Sequence, residues 1–145
     1  MQIKGKHNFE TRPTVNGVNI VKADDPILLP TTKGYMQFSR AGVLNAGTFL
    51  QNGAVVTSTT AGAMVCTSCY LRAVSVMNGN TISDGSGIEV LRNGTPVATL
   101  NISSGKSAFS SGLAIAFAAG DFISIRTKIT NGSNLKDTQV TVEVQ

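Results

Sequence analysis

The chain has 145 residues, 41% of them hydrophobic and only 14% charged, with a net charge of +4, one His, no Trp and eight acidic residues. That length suits one domain, burying roughly 68–70% of its unfolded surface without help from disulfides. So few ionisable side chains argue against an acid–base or nucleophilic enzyme, and a polar but weakly charged surface does not repel its own copies.

The charge is uneven along the chain. Residues 1–40 carry six basic residues (Lys4, Lys6, Arg12, Lys22, Lys33 and Arg40) against Glu10, Asp24 and Asp25, a net +3, whereas the other 105 residues carry +1. These basic residues are widely spaced and no aromatic ladder accompanies them, so a solvated or protein-bound arm is preferred to a nucleic-acid site. Gln2 to Lys6 lacks the apolar run of a secretion signal, and the longest apolar segment, Leu113 to Ala119, is strand-sized, so no membrane span is expected and synthesis in the cytosol is. Arg12 to Val21 reads as strand, turn and strand, with Arg12, Pro13, Val15, Val18 and Ile20 as its anchoring side chains. Asp25-Pro26 and Leu29-Pro30 then break regular structure, because proline lacks a donor and fixes its own φ. Between them Ile27, Leu28 and Leu29 are apolar yet too few to form an element, so the segment reads as one that docks on another surface.

From Tyr35 a β pattern sets in. Val43 to Gln51 does not settle on a period, and Ala54 to Thr60 is weakly strand-like. Met64 to Met77 reads as one strand, or as two joined by a bend near Thr67-Ser68. Gly87 to Arg92, the Asn93-Gly94 turn and Thr95 to Ile102 form the clearest hairpin. Leu113, Ile115 and Phe117 alternate with alanines, Ala118 to Asp121 turns, and Phe122 to Ile129 returns with Ile123, Ile125 and Thr127 on one face. Val140, Val142 and Val144 close the chain in strict alternation. Five Asn-Gly dipeptides, at 16–17, 52–53, 78–79, 93–94 and 131–132, mark expected tight turns. The result is seven to nine strands and no helix: an all-β, antiparallel sandwich over residues 41–145, preceded by an extended N-terminal arm over residues 1–40.

Few residues invite a chemical role. Cys66-Thr67-Ser68-Cys69 supplies at most two of four zinc ligands and lies in strand-like sequence, where positions i and i+3 face opposite ways; the pair is expected to be two small buried hydrophobes. His7 has no partners for catalysis. Asp84-Gly85-Ser86-Gly87 lacks the further carboxylates of a calcium loop and is neither followed by a Lys-Ser/Thr nor by a helix, as a phosphate cradle would be. No metal, cofactor or catalytic residue is expected. Tyr35 and Tyr70 could stack on a sugar, but two tyrosines without Trp signal no deep carbohydrate site.

Three segments resemble virion proteins of tailed bacteriophages. Arg12-Pro13-Thr14-Val15-Asn16-Gly17-Val18 resembles a segment near the start of short fibre and head-decoration proteins. Ile88 to Leu100 and Phe117 to Ile125 resemble the hairpin and the late Gly-Asp-hydrophobic strand of trimeric jelly-roll knobs, which cap phage fibres and occur in tumour-necrosis-factor-like domains. The resemblance implies a jelly-roll-like knob, a homotrimer, a place on the virion after synthesis in the host cytoplasm, and binding to the major capsid protein or another virion protein without catalysis. With Met1 as the start there is no long shaft, which favours a cement protein or short head fibre over a long tail fibre. The alternative it leaves open is a receptor-binding fibre tip, with Asn78, Asn80, Asp84, Asn131 and Asn134 in loops that touch a host-surface glycan.

Overall fold

The computed structural model describes residues 14–15, 18–19 and 33–145, and among these there is no helix. The chain divides into two units, Met1–Thr31 and Thr32–Gln145. In the first, β1 (Thr14–Val15) and β2 (Val18–Asn19) pair antiparallel with Val15 opposite Val18, on either side of the expected turn at residues 16–17. The expected anchoring residues Arg12, Pro13, Ile20, Ile27, Leu28 and Leu29 lie outside the described residues.

The second unit is a two-sheet sandwich. Its strands are β3 (Gly34–Leu44), β4 (Gln51–Asn52), β5 (Val55–Val56), β6 (Ala63–Met64), β7 (Cys69–Ile82), β8 (Gly87–Arg92), β9 (Thr95–Asn101), β10 (Gly105–Phe117), β11 (Phe122–Lys128) and β12 (Leu135–Val144). The larger sheet has the order β10-β7-β12-β3-β4-β5 and the smaller β6-β11-β8-β9. Every pairing is antiparallel, and the pairs nest: β3 with β12, β6 with β11, β7 with β10, β8 with β9. The link between β3 and β4 also reaches the other sheet. Leu50 N–H donates to the Ile125 carbonyl at 2.9 Å and Thr127 N–H to that of Thr48 at 2.9 Å, which closes one side of the sandwich.

The period-2 pattern decides what is inside. Phe38 faces Val140 across β3–β12, Val140 faces Val76 across β12–β7, and all three are buried. From the smaller sheet Ile88, Val90, Ile123 and Ile125 meet them, with Leu71, Val74, Leu135, Val142 and Phe117 completing one core. Each such fully buried side chain contributes about 1.5–3 kcal/mol. The compact unit begins ahead of residue 40 because Phe38 is wholly buried and β3 is hydrogen-bonded along the length of β12.

Of the Asn-Gly sites, Asn93-Gly94 is the type I′ turn expected, with φ of 50° and 81°. At the next, Asn52 pairs with Val55, so the two-residue turn is Gly53-Ala54. Asn78-Gly79 is not a turn at all; it lies inside β7. Alternation in β7 breaks at Arg72, because Leu71 faces Val144 while Ala73 faces Glu143, leaving Arg72 as the extra residue of a bulge. Met64 to Met77 is two pieces, the end of β6 and the start of β7, with the bend at Cys66-Thr67, one residue ahead of the expected Thr67-Ser68.

Candidate functional site

The residues that alternate with the core project from the outer face of the larger sheet, and register sets them in rows. Ser107, Met77, Gln139 and Ser39 form one row across β10-β7-β12-β3; Phe109, Ser75, Thr141 and Gln37 form the next; Ser111, Ala73, Glu143 and Tyr35 form a third. Phe109 is 67% exposed, Met77 63% and Tyr35 61%. Phe109 and Met77 flank a groove of about 480 Å³ whose floor includes Ser75, Gln139 and Thr141. Glu143 is the only charged member of the three rows, and Lys33 Nζ lies 2.9 Å from its carboxylate, a contact that raises the Lys33 pKa. Beyond the bulge the Arg72 guanidinium sits 5.1 Å from the centroid of the Tyr70 ring, a cation–π contact that turns charge inward onto an aromatic face.

This face is bounded by a long strand edge. β10 is the outermost strand of its sheet, and from Ser107 to Phe117 it carries neither charge nor proline. Strand edges in soluble proteins are normally blunted by such residues, because an open row of N–H and C=O groups is a template for pairing.

The opposite candidate is the loop end, where the structure gathers four of the five expected receptor residues and ties the side chains of three of them, Asn78, Asn80 and Asp84, into hydrogen bonds within the loops. Asn78 is 2% exposed. Its Oδ1 accepts from Lys136 N–H at 2.8 Å and the Thr138 hydroxyl at 3.0 Å, and its Nδ2 donates to the Asn80 carbonyl and side-chain oxygens at 2.7 and 2.5 Å. Asn80 Nδ2 in turn donates to the Asn134 carbonyl at 3.1 Å. Asp84 accepts from Ser86 N–H at 2.9 Å and Ser133 N–H at 3.0 Å, and these bonds hold its carboxyl below the usual range. The loops before β8 and before β12 are therefore stitched together. Asn131 alone is exposed with no side-chain hydrogen bond among the described residues.

At the other end Cys66 and Cys69 line an apolar hollow of about 380 Å³ with Gly34, Met36, Val65 and Val144. Cys66 is exposed in the bend, contrary to the expectation of two buried side chains, because the chain leaves the strand there. Cys69 is half-buried, and burial pushes its thiol pKa up, away from reactivity. Tyr35 and Tyr70 stand on the same sheet face two strands apart. Among the described residues no group of three His, Cys, Asp or Glu side chains could hold a metal ion.

Phe109 was missed by sequence reading. Its signal is the alternation of Ser107, Phe109 and Ser111 with Ala108 and Ser110, which marks a strand but leaves open which face is outside. Comparison with known protein families and with curated proteins found no match.

Proposed function

We propose that the chain is a structural virion protein of a tailed bacteriophage, a cement protein or short head fibre that decorates or reinforces the capsid as a homotrimer and performs no chemical step. The observation that carries the reading is the outer face of the larger sheet, where large apolar side chains stand among Ser, Thr and Gln with one neutralised charge. Phe109 and Met77 stand beside each other on it, and exposed apolar side chains gathered within a polar rim favour a protein contact. An uncharged face costs little to desolvate and does not repel a copy of itself.

The β10 edge, which carries no charge of its own from Ser107 to Phe117 but shifts register between Ser111 and Ile115 and has its Ala116 carbonyl bonded by Arg92, bounds this face without being its mirror image. An edge on one copy meeting a face on the next is a heterologous contact, which closes into a ring when the rotation allows. The nested strand pairing supports a jelly-roll reading of the sandwich, and the resemblance of residues 12–18, 88–100 and 117–125 supplies the virion class. Residues 1–31 form a unit of their own, which suits an anchor to the major capsid protein or another virion protein. The alternative, a fibre tip that grips a host glycan, draws on loops in which Asn78, Asn80 and Asp84 already spend side-chain polar atoms on hydrogen bonds within the protein, so assembly is the preferred reading.

Static light scattering on the purified protein tests it. The wild type should weigh about three chains at micromolar concentration. Phe109→Glu, which places a charge in the middle of the face, should weigh one chain with an unchanged β circular dichroism spectrum. A wild type that stays monomeric both in solution and on purified particles ends the proposal.

A further inference from the structure

The repeated Asn-Gly dipeptide carries a chemistry of its own, independent of any assembly. Glycine offers no side chain to hinder its nitrogen, so the backbone N of the glycine can attack the side-chain carbon of the preceding asparagine. A C–N bond forms, the bond from that carbon to the amide nitrogen breaks, and ammonia leaves with the proton the glycine nitrogen gives up. Water then opens the succinimide at either carbonyl, giving aspartate or isoaspartate. The step needs an asparagine side chain free to rotate onto the next nitrogen, and folding decides which asparagines are free.

Three of the four described Asn-Gly sites are held. Asn78 is buried and makes four hydrogen bonds. Asn93 Nδ2 donates to Asp121 at 2.7 Å, and its Oδ1 accepts from Phe122 N–H at 2.9 Å. Asn52 Nδ2 donates to the Gln37 carbonyl at 2.9 Å. Asn131 is exposed, lies in the β11–β12 loop outside any strand, and has no side-chain partner among the described residues; its neighbour Gly132 has φ 92° and donates no backbone hydrogen bond among the loop and turn contacts.

We propose that Asn131 is a site of spontaneous, non-enzymatic deamidation in the folded protein, converting to aspartate and isoaspartate ahead of Asn52, Asn78 and Asn93. The product lowers the net charge of the chain by one and, as isoaspartate, adds a methylene to the backbone of the loop. That loop is pinned two residues later, where Ser133 N–H donates to Asp84. The new carboxylate therefore appears at the same end of the sandwich as the Asp84 carboxylate.

The full-length protein is incubated folded in mildly alkaline buffer, and a parallel sample is incubated in denaturant. Both are digested and mapped by mass spectrometry, with isoaspartate detected by methyltransferase labelling. In the denatured sample the four sites should convert at comparable rates. In the folded sample Asn131 should keep nearly that rate, whereas Asn93, which must first break two side-chain hydrogen bonds, one of them to a carboxylate, should slow by at least about thirtyfold. Asn131→Ser should remove the aspartate and isoaspartate found in the peptide that covers residue 131 in wild type. Conversion at Asn93 or Asn78 as fast as at Asn131 in the folded sample, or an Asn131 that stays intact while the denatured chain converts, overturns the proposal.

Discussion

Replacing Asn78 with alanine tests whether the loop end is built for binding or for cohesion. The substitution deletes an acceptor shared by Lys136 N–H and the Thr138 hydroxyl, at a position only 2% exposed. Thr138 is itself buried, so its hydroxyl finds no water in exchange. A buried group left unsatisfied costs about 1–3 kcal/mol, so two such groups give a loss of about 2–6 kcal/mol. The oxygens of Asn80 lose a donor too, but Asn80 is half-exposed and water replaces it. Urea unfolding followed by circular dichroism gives the number directly; with a slope of about 2 kcal/mol per molar, the midpoint should fall by about 1–3 M with the slope unchanged. Asn131→Ala, at the same end but exposed, is the control and should stay within about 0.5 kcal/mol of wild type. Equal and small shifts for the two variants would refute the reasoning. A residue kept for glycan contact behaves the opposite way, losing binding at full stability.

Two other outcomes follow from close contacts and from charge. At Gly87 a β-carbon would lie 2.0 Å from the Leu100 carbonyl oxygen, so Gly87→Ala must part β8 from β9 and should cost about 3 kcal/mol in thermal or urea unfolding; an unaltered melting temperature contradicts that packing. Asp84 and Asp121 are both held below the ordinary carboxylate range, Asp84 chiefly by Ser86 N–H and Asp121 chiefly by Ala118 N–H. Their contribution is complete above about pH 4, where they are ionised in the unfolded chain too, and is lost as pH falls from there through the lower folded values. The difference in urea midpoint between wild type and Asp84→Asn should therefore shrink as pH drops below about 4, and a gap independent of pH contradicts the assignment.

Much of the sandwich was legible because its signals are local. Val140, Val142 and Val144 alternate strictly and are all buried, and the Asn93-Gly94 hairpin needed only the turn chemistry of two residues. What was not legible depends on partners remote in sequence. Asn78-Gly79 has the composition of a turn, yet it stays in a strand because β12 bulges between Lys136 and Thr138 and presents a donor on each side of the bulge. The first half of β3 fell within the expected arm although a β pattern starts at Tyr35; pairing with β12 makes Tyr35, Gln37 and Ser39 one surface of a sheet whose other surface holds Phe38. The candidate face was hidden for the same reason. Phe109, Met77 and Tyr35 come from three distant segments, and nothing short of register brings them together.

The first and last strands of the sandwich lie side by side and run in opposite directions, with Gly34 opposite Val144. Entry and exit of the polypeptide therefore share one pole. The sandwich's own ends, Gly34 and Gln145, lie beside the cysteine-lined hollow, and the stitched loops with Asn131 sit at the pole farthest from it. A sandwich built this way can be held where its first and last strands end without obstructing the opposite tip. Peptides inserted beside Asn131 would be presented at the tip opposite Gln145, whereas a fusion at Gln145 would emerge beside the cysteine-lined hollow.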